Sequence, residues 1–425
     1  MTVLLDRRAA VAAEPRPRAR PGESTARDPF VDLLRVLGTA LIVLQHWTIP
    51  VLSYDGVRLV AGNALSTPGV WAVTWLSQVM PLVFFAGGAA NALSYGRSAH
   101  AAPRWLAVRL RRLAWPLLPL AAVWIPLPHV LLTFGVPAQP LELGSRLTGQ
   151  LLWFLAVYLI AVVATPYALR LHERHGLLVP AALAAGAVVT DVARFSTGFD
   201  AVGYLNVGFV WVAVHQLGFF HVQGRLRRPA ALAVGGFGAA ALLVAYGPYP
   251  GSMIGLPGAA VSNMAPPTLA LLAVGLGQIG LATLLRPWLA RLPLGRLLGW
   301  AGPRIMTVYL WHMPALFVAT GLVVVLLRVG TPVPGSAFWW AGWPLWFGLL
   351  CLVMWPLIWL FARYEAPPAL PYGTAGWGGM LAAAGLVGGG VLALTVGGFA
   401  PGGGPFLAVL AVLGGLLMTA PRARS

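Results

Sequence analysis

The sequence predicts an all-α, polytopic bundle of membrane-spanning helices, and three observations carry that prediction. The 425 residues are 59% hydrophobic and only 9% charged, with a mean hydropathy of +0.79, well outside the range of soluble globular domains. The apolar residues gather in runs of about 17 to 25, the length that crosses a bilayer as a helix. The arginines gather between every second pair of runs, the distribution expected when basic residues stay on the cytosolic side.

Taken in order, the runs give ten spans in a main body, at about 33–51, 69–93, 113–133, 151–169, 177–190, 202–221, 230–246, 267–285, 304–327 and 338–361. The fifth, Leu177 to Thr190, is short for a crossing and needs support from its neighbours. A Gly-rich pair follows at about 377–396 and 406–420, joined by GGFAPGGGP, a turn by composition. That makes about twelve spans. The expected organisation is an Arg/Pro-rich cytosolic tail at 1–29, a membrane domain at 30–363, a linker at 364–376, and a C-terminal hairpin with a short basic tail at 377–425. With both termini in the cytosol, 23 arginines lie inside and four, Arg58, Arg146, Arg194 and Arg328, lie outside. The hairpin helices carry no ionisable residue and read as a packing appendage outside the ten-helix body.

Topology therefore accounts for the net charge of +17, and nucleic acid is not implied. All 28 basic residues are arginine. Without lysine there is no phosphate-loop lysine, no Schiff base and no Ser-Lys dyad. The single cysteine, Cys351, precludes an intrachain disulfide or a cysteine metal cluster. No G-x-S-x-G elbow occurs, His172-Glu173-Arg174-His175 is too closely spaced for H-E-x-x-H, and no metal site is supported.

What remains is a small set of ionisable residues inside spans, each a functional candidate by the cost of placing it there. In FVDLLRVLGTALIVLQHW, Arg35 and His46 lie eleven residues apart. That is about three turns and roughly 16 Å, so both emerge on nearly one face. A neutral imidazole at His46 is the state a general base needs. An interhelical hydrogen bond for His46, and an i,i+3 pair with Asp32 for Arg35, are the alternatives. In MTVYLWHMP, Tyr309 and His312 share a face, and His312 lies about 12 Å beyond Arg304, deep enough to meet His46. The run RWLAVRLRRLAWP presents Arg104, Arg109, Arg111 and Arg112, either as phosphate-binding forks or as a membrane anchor. Gln45, Asn91, Gln150, Trp153, Asn206, His215, Gln216 and Asn263 read as interhelical hydrogen-bonding or packing positions.

The ordered set of Arg35, His46, Phe84-Phe85, the Arg-x-Arg-Arg-Leu run ending at Pro116, Trp153-Phe154-Leu155 and YLWHMP resembles the acyltransferase 3 family over about residues 30–363. Those integral membrane enzymes acylate envelope glycans, lipids and small hydroxylated products, usually from acyl-CoA. The HQLGFF and SNMAPP segments resemble actinobacterial members. The resemblance implies that Arg35 and His46 are the functional pair, and the shared face and depth of Tyr309 and His312 make those two the candidate support. It implies that Arg109, Arg111 and Arg112 meet the donor's phosphates, and that the partners are acyl-CoA, a hydroxylated acceptor and the bilayer of the plasma membrane. The family's Ser-Gly-Phe is Gly88-Ala89-Ala90 here, so no role passes to that serine. A proton-coupled transporter is the competing expectation, against which stands the absence of paired broken helices.

Overall fold

The computed structural model describes residues 28–98, 102–256, 258–369 and 376–420. The tail arginines up to Arg27, the middle of the 364–376 linker, and Arg422 and Arg424 lie outside the described residues. The described residues are 76% helical. Among them, eleven helical stretches are long and apolar enough to cross a membrane, with Gly403–Leu417 a shorter apolar helix after them. This is a polytopic membrane protein.

Helix α1, Pro29–Thr48, starts where Asp28 caps it: the carboxylate accepts from the Phe30 N–H at 2.9 Å, and Pro29 supplies the preset first turn. The same carboxylate meets His221 Nε2 at 3.0 Å, and this contact, more than burial, sets its balance and holds Asp28 below the usual carboxylate range. Chain direction then reverses in a feature the span ruler passed over. Strands β1, Pro50–Tyr54, and β2, Leu59–Asn63, form an antiparallel hairpin. Asp55 and Gly56 stand at its turn, with the Asp55 carboxylate accepting from the Val57 and Arg58 amides at 2.8 and 2.7 Å. Gln139 bonds both backbone groups of Leu59, and Thr331 bonds both of Leu52, so the hairpin is fixed over one end of the bundle.

Helix α2 is Met80–Gly96. An amphipathic α3, Ala102–Ala114, leads into the expected third span at about 113–133, which is divided into α4, Leu117–Trp124, and α5, Pro126–Thr133, with breaks at Pro116 and before Pro126. Then come α6, Ala138–Gln150, and α7, Trp153–His175. The fifth span is not short: α8 runs Leu178–Thr197. It continues past Thr190 because its polar residues are met from outside the helix. Asp191 accepts from the Asn206 amide, the Tyr249 hydroxyl and the Leu269 N–H, and Arg194 pairs with Asp200 at 2.9 Å. The body is completed by α9, Asn206–Val222; α10, Pro229–Tyr246; α11, Leu269–Leu289; α12, Gly295–Ala301; α13, Ile305–Thr320; and α14, Ala337–Phe361.

The hairpin helices are α15, Trp377–Gly397, and α16, Gly403–Leu417. They do not stand outside the body. Helix α15 packs on α3, α6 and α7. The Phe399 N–H donates to the Ser145 carbonyl at 3.0 Å, and Arg111 Nε reaches Thr419 Oγ1 at 2.6 Å. Small residues allow the approach, since a side chain at Gly149 would meet the backbone of Leu394 and Gly398.

A close crossing between α2 and α9 explains the departure at Gly88. A Cβ at Gly88 would run into the His215 carbonyl, and one at Gly218 into the backbone of Phe85 and Ala89. Neither obstacle is a flexible side-chain end. Gly88→Ala, and equally Gly88→Ser, is therefore expected to lower stability by about 1 to 3 kcal/mol through overpacking. Thermal unfolding in detergent checks this; an unchanged midpoint would show that α2 and α9 separate freely.

Candidate functional site

The chemistry of α1 and α13 converges where their polar residues meet. His46 Nδ1 lies 2.9 Å from His312 Nε2. The ring centroids are 5.1 Å apart and the planes are inclined by 21°, as for two imidazoles joined nearly edge to edge. His312 Nδ1 lies 2.7 Å from the Tyr309 carbonyl. A carbonyl can only accept, so that nitrogen carries hydrogen, and in the neutral ring Nε2 is left as an acceptor. His46 Nδ1 must then donate to it. The consequence is that His46 presents a bare Nε2.

The surroundings hold that arrangement. Trp47 Nε1 donates to the His312 carbonyl at 3.0 Å, and Trp346 Nε1 donates to the Trp47 carbonyl at 3.0 Å, tying α1 to α13 and α14. The Tyr309 hydroxyl donates to the Leu151 carbonyl, so Tyr309 anchors α13 to the start of α7. Gln45 Nε2 donates to the Ser77 carbonyl at 2.6 Å. Helix α13 is held at its origin by Glu365, whose carboxylate accepts from the Met306 and Thr307 amides, both at 2.9 Å, and from Thr307 Oγ1 at 2.5 Å.

His46 opens on a cavity of about 1260 Å³, bounded by α1, the β-hairpin, α6, α7, the start of α9, the 254–267 segment, α13 and α15. Helix α1 ends two residues after His46, whereas the helical path of α13 continues to Leu326, roughly 20 Å past His312. The histidine pair thus sits near mid-depth, and the cavity fills the half of the bundle capped by the β-hairpin.

The arginines gather on the other side of the pair, at the end where α1 begins. Arg35 pairs with Asp32 at 3.6 Å, the i,i+3 contact expected as one alternative, and its side chain is 40% exposed. Its charge also acts on Arg109 and Glu365. Arg109 donates to Asn91 Oδ1 and hydrogen-bonds Tyr158, while its buried Nε has no partner among the described residues. Because Arg109 holds the amide oxygen, the Asn91 NH₂ is directed at His215 Nε2, 3.0 Å away, which accepts. Arg112 is exposed and acts on Arg109 as a second positive charge. Arg111 does not join them. It is 5% exposed and turned toward Thr419 of the hairpin, because at 100° per residue it projects away from the face that Arg109 and Arg112 share. Arg104 is exposed.

An aromatic layer separates the arginine group from the cavity. Phe84, fully buried, stacks on Trp211 at 4.6 Å and meets Phe154 and Tyr158 edge-on at 5.5 and 5.9 Å. Phe154 and Trp211 line the cavity, and Tyr158 touches Arg109. The sequence reading placed His46 near His312 and gave Asn91 as an interhelical hydrogen-bonding or packing position, but it gave no role to Tyr158 or Glu365 near the arginines. Asn206 and Asn263 are interhelical and loop cement, bonded to Asp191 and to the Pro250 and Ser252 carbonyls.

Burial raises the pKa of Glu365 above its ordinary 4.5, against the opposing effect of the Thr307 and Met306 hydrogen bonds. A carboxyl with a raised folded-state pKa contributes most to stability when protonated, and that contribution fades as pH rises through the folded value. Acidification from neutral toward pH 4.5 should therefore raise the apparent unfolding temperature of the unaltered protein relative to Glu365→Gln, which takes up no proton. Parallel pH profiles for the two proteins would refute this.

A family model described as an acyltransferase domain matches residues 28–363. No curated protein and no solved structure matches the chain.

Proposed function

The chain belongs to the acyltransferase 3 family of membrane acyltransferases, and from that premise we propose that it moves an acyl group from acyl-CoA to a hydroxyl of an envelope glycan, a lipid or a small product at the plasma membrane. The observation that carries the proposal is the bare His46 Nε2 facing a large cavity, fixed by His312 and the Tyr309 carbonyl behind it.

In this reading the arginine end is cytosolic, as the arginine distribution favours, and both termini lie there. The donor's phosphates meet Arg35, Arg109 and Arg112, where the unpartnered Arg109 Nε is a donor awaiting an anion. Arg111, engaged with Thr419, is left out of that set. The donor's pantetheine arm reaches His46 by parting the Phe84–Trp211 layer. His46 Nε2 then removes the proton from the acceptor hydroxyl, and the oxygen attacks the thioester carbonyl. Collapse of the tetrahedral intermediate breaks the C–S bond and expels the CoA thiolate, which takes the proton back from His46. While His46 is protonated, its Nδ1–H to His312 Nε2 allows the positive charge to be shared across the pair. The acceptor enters from the cavity side.

Two substitutions separate the roles. His46→Ala removes the base, and turnover should fall by about 10² to 10⁴ with donor affinity retained. Arg35→Ala or Arg109→Ala removes a charge-assisted phosphate contact of about 1.5 to 3 kcal/mol, so acyl-CoA affinity should fall roughly tenfold to hundredfold. Calorimetric titration of acyl-CoA beside release of free CoA, on purified protein of equal unfolding temperature, reads both. Wild-type turnover in His46→Ala, or wild-type donor affinity in the arginine variants, would withdraw the corresponding role. Mass spectrometry of envelope glycans, lipids and secreted products from a deletion strain identifies the acceptor by its lost acyl mass.

A further inference from the structure

The wall of the cavity contributed by α15 differs in kind from the others. Gly385, Gly388, Gly389, Leu392 and Val396 all line the cavity, and their spacing puts them on one face of the helix. With Ala384 they extend over about 18 Å. A Cβ added at Gly385, Gly388 or Gly389 would meet nothing within 4 Å. These glycines are not there to admit a neighbouring helix. That service is performed by Gly390 and Gly415, where a Cβ would strike the Ala408 and Ala383 carbonyls between α15 and α16. The lining polar residue on α15, Thr395, has its hydroxyl donated to the Val391 carbonyl at 2.9 Å.

Polar groups line the cavity from other elements: Gln45 and His46 on α1, Asn63 on β2, Gln78 ahead of α2, and Ser262 in the 254–267 segment. On α13, Thr320 is 3% exposed and lines the same space, and its buried hydroxyl has no partner among the described residues. A buried unmet hydroxyl costs about 1 to 3 kcal/mol unless an occupant meets it, so it points to a ligand with a polar portion. The cavity, at about 1260 Å³, exceeds the 300–1,000 Å³ of ordinary small-molecule sites. A two-carbon acyl group beside a small acceptor would leave most of it empty.

We infer that α15 is the binding wall for a long acyl chain of the donor, extended along the glycine face from His46, while the hydroxylated acceptor occupies the polar side. The inference rests on the acyl-transfer reading above and adds the class of acyl group: a fatty acyl chain. It also gives the hairpin a function, although that segment lies beyond the matched residues 28–363. The rim agrees with an alkyl occupant, since Ile160 and Leu392 are about half exposed and lie a turn or more inside the ends of stretches apolar enough to cross a membrane.

The test uses the full chain in nanodiscs with palmitoyl-CoA carrying a diazirine on its acyl chain, and with a diazirine-bearing hexadecanol as the second probe. After irradiation, labelled peptides are mapped by mass spectrometry. The inference predicts labelling of 377–397 by the palmitoyl-CoA probe, displaced by unlabelled palmitoyl-CoA, and at least tenfold weaker in Gly388→Leu and Gly389→Leu relative to the exposed α14 surface around Leu352. The displacement arm needs no variant and stands even if the leucine proteins fold poorly. Labelling of 377–397 that is no stronger than that of α14, or that unlabelled palmitoyl-CoA does not displace, overturns the inference. So does labelling by hexadecanol alone, which would assign the wall to the acceptor's chain. His46→Ala separates this from the parent reading: it should keep the label and lose transfer. Acetyl transfer without α15 labelling would remove the chain wall and leave the transfer reading, whereas labelling without transfer from any donor would do the reverse.

Discussion

A backbone carbonyl that can only accept decides the state of the whole site. The Tyr309 carbonyl fixes hydrogen on His312 Nδ1, which leaves His312 Nε2 to accept from His46 Nδ1 and bares the far nitrogen of His46. Among the described residues no carboxylate completes this relay, in contrast to a Ser-His-Asp triad, where a buried anion holds the tautomer. The orientation instead depends on helix placement. That placement is secured by the Trp47 and Trp346 indole hydrogen bonds, by the Tyr309 hydroxyl on Leu151, and by Glu365 at the origin of α13. A shift of α13 relative to α1 by one residue would rotate His312 by about 100° and break the pair.

The second constraint is separation. The arginines lie on one side of a packed aromatic layer and the cavity lies on the other, with α1 bridging both through Arg35 and His46. A charged cofactor and a hydroxylated acceptor approaching from opposite ends would meet at mid-depth, where water is scarce and hydrolysis of an activated acyl group is disfavoured. The cost is that the aromatic layer must move, and its members, Phe84 and Trp211, are among the most completely buried large side chains of the bundle.

Much of this was legible in the sequence for a simple reason. Histidine at positions 46 and 312 in otherwise apolar runs is expensive, and the depth arithmetic along two helices placed them at one level. The same arithmetic, applied around the helix, separates Arg111 from Arg109 and Arg112, which the resemblance groups as one phosphate-binding set. The β-hairpin carried an Asp55-Gly56 turn signal that a search for long apolar runs ignores. Helix α8 is longer than the apolar run 177–190 because Asp191 and Arg194, just past that run, find partners in Asn206, Tyr249 and Asp200. The part played by α15 in the cavity had no polar mark. Glycines that face empty space and glycines that admit another helix are identical in sequence, and only the structure tells Gly388 from Gly390.

The central claim is the tautomer of His46, and ¹⁵N NMR of histidine-labelled full-length protein in nanodiscs reads it directly, with His46→Ala and His312→Phe to assign the two rings. The account predicts that neutral His46 carries its hydrogen on Nδ1, that its Nε2 has the shift of an unprotonated nitrogen, and that this preference weakens in His312→Phe. An Nε2-protonated His46 in the resting enzyme would leave no base facing the cavity and would contradict the account.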